Sequence, residues 1–288
     1  MTAGLIAAQG FVPDAGAALS WSVVPGVAWE DNLNGGIPAQ SLRLYGLNFV
    51  IDEASRAKSG LTPTLSMGIS ARKTLAPGAV VQVYALASGA YSLDHHLGKA
   101  DIVTGACSGH SLEADWFMDI CLRQTRRLRD LGNSTERLYS VGFEKLLAVG
   151  NSLHSVTIRP QIEEVDRRAR PMIGMDWVGI YPDLGILSLS VLGGPSPADY
   201  GGVTGFASIG IKRDLLGALT GVSLSAETAA GQSYLGLARE DETYTLRLSR
   251  QMGPWGEAQV GYRKRLSSIP GFEDTAFLLG FDFKGWDG

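Results

Sequence analysis

The sequence predicts an all-β chain, folded as an antiparallel up-and-down transmembrane β-barrel of about fourteen strands. Three observations carry that prediction. Apolar residues recur at every second position through segments of about ten residues, the period that turns one face of a strand to oil and the other to water. In the clearest case Leu61, Pro63, Leu65, Met67, Ile69 and Ala71 alternate with Thr62, Thr64, Ser66, Gly68, Ser70 and Arg72. The links between segments alternate short and long, as the periplasmic turns and outer loops of a membrane meander do. Aromatics gather at segment ends, at Trp21, Trp29, Trp116, Tyr139, Trp177, Tyr181, Trp255 and Trp286, where a barrel carries its interfacial girdles.

The first strand is expected at 19–30, with Leu19, Trp21, Val23, Val27 and Trp29 on one face and Ser20, Ser22, Gly26, Ala28 and Glu30 on the other. The second to fourth follow at 61–73, 80–92 and about 100–109. The fifth, 115–125, sets Trp116, Met118, Ile120 and Leu122 against Asp119, Cys121, Arg123 and Thr125. The sixth, 137–146, and the seventh, 153–165, continue the pattern with Tyr139, Val141 and Phe143, then Val156, Ile158 and Ile162, on the oily face. Shorter alternating runs place the next four strands at 172–181, 186–192, 203–213 and 219–228. The last three, 242–250, 257–266 and 276–284, end the chain on Phe277, Leu279, Phe281 and Phe283.

Short turns are expected at 75–79, 110–114, 147–152, 182–185, 214–218 and 251–256, and long links at 32–60, 93–99, 126–136, 166–170, 193–202, 229–241 and 267–274. The first and last strands would close the barrel. Pro25 weakens that seam, because proline has no N–H to give the ladder.

The two faces give the candidate residues. Lipid-facing positions include Leu65, Met67, Ile69, Trp116, Val156, Ile158, Leu246, Phe277 and Phe281. Lumen-facing positions carry Glu30, Arg72, Asp119, Arg123, Glu144, Arg159, Glu163, Asp176, Glu227, Arg247, Arg263 and Asp282. These charges are mixed in sign, so they lace a wall rather than form a one-sign selectivity ring. A soluble β-sandwich would show the same alternation with the oily face turned into a core. Cys107 and Cys121 flank an expected turn near Ala114 at equal distances. They are either a disulfide of an oxidising compartment or two small filler residues.

Composition bounds the rest. All-β barrels reach 288 residues as one unit. A net charge of −4 gives no support to a nucleic-acid partner. No apolar run reaches the ~18 residues of a transmembrane helix. Residues 1–18 are a short N-terminal segment and 19–288 the barrel. The first basic residue is Arg43, so the start lacks the basic region of a signal peptide.

The run Ala28-Trp29-Glu30-Asp31-Asn32-Leu33-Asn34 resembles the motif that opens the barrel of surface lipoprotein assembly modifiers, and 42–60 resembles the stretch that follows it. Tyr200-Gly201-Gly202-Val203 and the loop at 267–274 resemble later landmarks of that family, in register from about 19 to 283. The resemblance implies an outer-membrane barrel that assists export or surface display of a lipoprotein or secreted protein. Its partners would be outer-membrane lipid, the exported passenger and a separate periplasmic helical-repeat protein. The family's own tetratricopeptide repeats need about 34 residues each, more than 1–18 can hold.

No enzyme motif is present, and no catalytic, cofactor or metal site is expected. His95-His96 falls in an outer loop, where a metal would need further ligands. Ser108 and His110 share a face but have no orienting partner. Arg126, Arg127 and Arg129, with Arg167, Arg168 and Arg170, fall in loops or rims, where they either bind lipopolysaccharide phosphates or stay solvated. The long 32–60 link, with Leu44, Leu47, Phe49 and Ile51, is either a gate or cap folded over the mouth or an extracellular hairpin. The leading functional expectation is an outer-membrane translocator without a cofactor. The alternatives are a porin-like small-solute channel and a soluble β-sandwich binding protein.

Overall fold

The computed structural model describes residues 17–287, apart from Ala114, Asp166, Ala198, Asp199 and Leu235. Residues 1–16 of the expected N-terminal segment, and the expected turn residue Ala114, lie outside them. β1 (Ala18–Glu30) leads into a small hairpin, β2 (Ser41–Leu44) and β3 (Leu47–Val50), and then into β4 (Gly60–Ala76). A meander follows: β5 (Ala79–Ser92), β6 (Leu97–Ser111), β7 (Trp116–Leu128), β8 (Ser134–Val149), β9 (Ser152–Val165), β10 (Arg168–Tyr181) and β11 (Gly185–Gly193). It continues through β12 (Gly202–Leu215), β13 (Ala218–Tyr234), β14 (Leu237–Gln251), β15 (Gly256–Ser267) and β16 (Asp274–Phe283), and ends at β17 (Trp286–Asp287). β1 and β4 to β16 form a closed fourteen-stranded antiparallel barrel, each strand bonded to its sequence neighbours and β16 returning to β1.

Closure is uneven. β1 pairs with β4 along its whole length, but with β16 only over 26–29 against 279–282. Below that, Ser22 and Val23 pair with Asp287 and Trp286 of β17, one residue out of the β16 register. The interruption falls opposite Val24 and Pro25, the place where the chain offers no N–H.

Apolar side chains stand outside, as the alternation predicts. Leu65, Met67 and Ile69 are 45%, 50% and 50% exposed, and Ile120, Ile158, Ile209, Leu224, Leu246 and Phe277 are exposed likewise around the wall. A soluble sandwich would bury this belt, since water does not tolerate a continuous apolar girdle of that size. A closed ladder with oil outside and polar groups inside is the one sheet that a bilayer accepts. The protein is an outer-membrane β-barrel. The longest connections lie at the Glu30 end, which is therefore extracellular, and the turns at 77–78, 150–151 and 216–217 are periplasmic.

The expected alternation of short and long links is corrected at four places. The links at 93–99, 126–136, 166–170 and 229–241 are not long: β6 begins at Leu97, β7 runs on to Leu128, β10 begins at Arg168, and β13 runs on to Tyr234. These hairpins extend beyond the bilayer, where both faces are wet. Backbone pairing continues there without an apolar period to betray it. The last strand also stops at Phe283 rather than Lys284, whose N–H instead donates to the Trp255 carbonyl at 3.0 Å.

Candidate functional site

The link from β1 to β4 folds back over the extracellular mouth. Its start is pinned by two asparagines. The Asn34 amide donates to the Arg56 carbonyl at 2.8 Å, and its oxygen accepts from the Lys58 N–H at 3.1 Å. Asn32 makes a local clasp to both backbone groups of Gly36, at 2.8 and 2.9 Å. Leu33 and Asn34 are fully buried. The Asn34 carbonyl accepts from the Leu131 N–H at 3.0 Å, tying the segment to the β7–β8 loop.

The far side of the segment rests on the opposite rim. Leu42, Leu44 and Ile51 form a buried cluster with Ile269 and Phe272 of the β15–β16 loop, and Tyr234 and Leu237 of the β13–β14 hairpin pack against it. Tyr234 meets the Phe272 ring edge-on at 5.1 Å, and the Arg239 guanidinium sits over the same ring at 4.1 Å. β7–β8 and β13–β14 lie nearly opposite in a fourteen-strand circle, so the segment spans the mouth as a cap. Each fully buried leucine or isoleucine contributes roughly 1.5–3 kcal/mol to holding it there. Of the two expectations for this link, cap and free hairpin, the geometry is that of the cap. Leu44 and Ile51 are inside its core, while Leu47 and Phe49 stay exposed.

Beneath the cap the lumen is lined by charges, most of them paired between strands. Asp119 on β7 and Arg159 on β9 form a two-pronged pair, one prong Nη2–Oδ2 at 2.9 Å, reaching across β8. Gly142 of β8 makes that reach possible, because a Cβ there would meet Arg159 Nη2 at 2.8 Å. Arg123 and Arg127 share Glu136, at 3.8 and 3.1 Å. Glu163 and Arg170 pair while nearly buried, and Arg170 also donates to the Pro195 and Val203 carbonyls at 2.9 and 2.7 Å, fixing the β11–β12 loop. Glu30 pairs with Lys99, and Arg263 bridges Asp31 and Asp274, so the N-terminal root of the cap is bolted to the wall on both sides.

Glu144 accepts from Ser155 at 2.5 Å, Asp176 from Ser190 at 2.6 Å, and Asp282 from Gln259 at 3.1 Å. Arg72 stands beside Gln82, and Arg247 beside Ser223 and Gly261. Glu227 of β13 stands on the lumen face, on a strand six places round the circle from β7, which carries Arg127.

All twelve charged residues expected in the lumen stand on the ladder face opposite the apolar belt. On the belt itself, Leu65, Met67, Ile69, Trp116, Ile158, Leu246 and Phe277 are exposed, and Val156 and Phe281 half-exposed. Cys107 and Cys121 are directly paired across β6 and β7 and joined by a disulfide facing the lumen. Ser108 and His110 stand on the outer face of β6, beside Ile120 and Met118. Lys99, Asp101, Glu136 and Asp274 escaped sequence reading because they sit where the strands leave the bilayer, and Arg127 and Arg170, expected there as phosphate binders or solvated ends, are instead ion-paired to Glu136 and Glu163. Continuing the period of two outward from Cys107 and Arg123 would have reached Lys99, Asp101 and Arg127.

No family model matches the sequence, and no curated protein matches it. Among solved structures it is similar to Pseudomonas aeruginosa OccK1 (OpdK), at 11% identity and a TM-score of 0.47, over 96% of this chain and 100% of that one. It is similar to Acinetobacter baumannii OccAB3, at 8% identity and a TM-score of 0.45, over 94% and 99% of the two chains. It is also similar to a BenF-like porin from Pseudomonas fluorescens Pf-5, at 7% identity and a TM-score of 0.44, over 95% and 100%.

Proposed function

We propose that the protein is a capped outer-membrane channel for small polar solutes. The observation that carries this reading is the lumen itself: a closed wall faced inward with serines, glycines and inter-strand ion pairs, beneath a cap of one chain segment. Such a surface stays wet, and a wet lumen of this strand number exceeds what wall side chains fill. A passenger polypeptide would have to displace the cap core, whereas a small solute needs only the space around it. Planar-bilayer recording tests the reading. Discrete, steady conductance steps are expected, larger after 32–58 is replaced by a short Gly-Ser link. Silence from both proteins, with the barrel folded, overturns it.

A second reading, translocation of a lipoprotein or secreted protein, is favoured by the short seam between β1 and β16. Under it, a cysteine pair replacing Val27 and Phe281, which face each other in the ladder, would block export when oxidised and release it when reduced. Unchanged export in both states would remove this reading.

A further inference from the structure

The lipid-facing belt is hollow in one place. A groove of ≈690 Å³ runs over the outer wall from Val81 on β5 to Pro171 on β10. Its floor is low because β6 presents Ala106 and Ser108 beside Leu122 and Ile120 of β7, and because Pro160 and Pro171 carry compact rings. The volume lies within the ~300–1,000 Å³ of ligand-sized pockets. Five strand spacings separate its ends, about 24 Å along the sheet. That is the breadth of several acyl chains lying side by side rather than of one.

The wall changes character one ladder step toward the extracellular rim. Leu122, Tyr139 and Ile162 form the upper row of the groove, and the next outward row is Gln124, Arg137 and Glu164. Arg137 is committed within that row, donating to Glu164 at 3.0 Å and to Gln124 at 3.2 Å. Arg126 stands one row higher, opposite Thr135, exposed and with no ion pair among the described residues. Arg167 is exposed in the β9–β10 turn at the same height, its backbone held at φ +66°. Arg126 and Arg167, exposed and neither with an ion pair among the described residues, thus stand above a broad apolar groove, toward the extracellular rim and the outer-leaflet headgroups. Guanidinium suits phosphate by its forked geometry.

We infer that this face is a binding site for a phosphorylated, multiply acylated glycolipid of the outer leaflet, with its acyl chains in the groove and a phosphate against Arg126 and Arg167. The site is on the outside of the wall and is independent of what passes through the lumen.

The test uses the full chain purified in mild detergent, bisphosphorylated hexa-acyl lipid A as the probe, and native mass spectrometry as the readout. Wild type is expected to retain lipid A and to bind phosphatidylglycerol and fully dephosphorylated lipid A at least tenfold more weakly. The double variant R126Q/R167Q is expected to lose about tenfold in lipid A affinity, the scale of one charge-assisted contact. Filling the groove with A106W or, separately, S108F is expected to cost a similar factor, while V222W on the far wall changes nothing. Lipid A binding equally to wild type and to the folded variants overturns the inference, as does equal binding of phosphatidylglycerol.

Discussion

The two ends of the barrel are ordered by different forces. At the periplasmic end the strands are joined by turns such as 77–78 and 150–151, and order comes from the backbone ladder with local ring contacts such as His154 against Trp177 and Tyr181. At the extracellular end the ladder runs out, and a 31–59 segment of low strand content is held instead by a small apolar core around Leu42, Ile51, Ile269 and Phe272. The contrast teaches where each kind of interaction pays. Within the bilayer, hydrogen-bond closure is compulsory and apolar burial between side chains adds little, because lipid is equally apolar. In water above the bilayer the hydrophobic effect returns, and it is spent on closing the mouth.

The sharpest way to break this contrast is to remove the cap core. F272A is expected to cost about 3–5 kcal/mol of cap stability. Protease cleavage near Arg56 and Lys58 and a larger unit conductance would report it, while the heat-resistant migration of the folded barrel stays unchanged. A barrel that unfolds with its cap would show that the two ends are one cooperative unit.

Reducing the Cys107–Cys121 disulfide should act on the ladder rather than the cap. Loss of roughly 2–4 kcal/mol is expected in urea unfolding, with conductance nearly unaltered. G142V forces Asp119 and Arg159 apart on the lumen wall. A cost of about 1–3 kcal/mol and a shift in ion selectivity are expected, read from the melting temperature and the reversal potential. The smallest effect belongs to the seam. P25V restores an N–H and should stabilise it by about 0.5–1.5 kcal/mol, seen as slower amide exchange at 22–27.

Much of the wall was legible beforehand. Segments such as 61–73 and 153–165 alternate strictly, and the structure places β4 and β9 over them with a few residues added at the ends. The inward acids and arginines followed from the same parity, and Glu30, Asp119 and Arg263 are where it puts them. What was not legible lies where parity lapses. The hairpin tips around 93–99 and 229–241 are wet on both faces, so their pairing leaves no apolar signature. The partners Lys99 and Glu136 went unseen for that reason, and Arg127 was placed at the rim without its partner.

The sequence alone determined the number of strands, their order and the face that each residue takes, because a period of two is local and a bilayer rewards it at every strand. It also marked 32–60 as an unusual link. Only the tertiary structure decided who meets whom across distance: Asp119 with Arg159 over Gly142, Arg127 with Glu136, Leu42 with Phe272 in the cap, and Arg126 above the Ala106 groove. These contacts depend on the curvature and closure of the whole wall, which no single strand encodes.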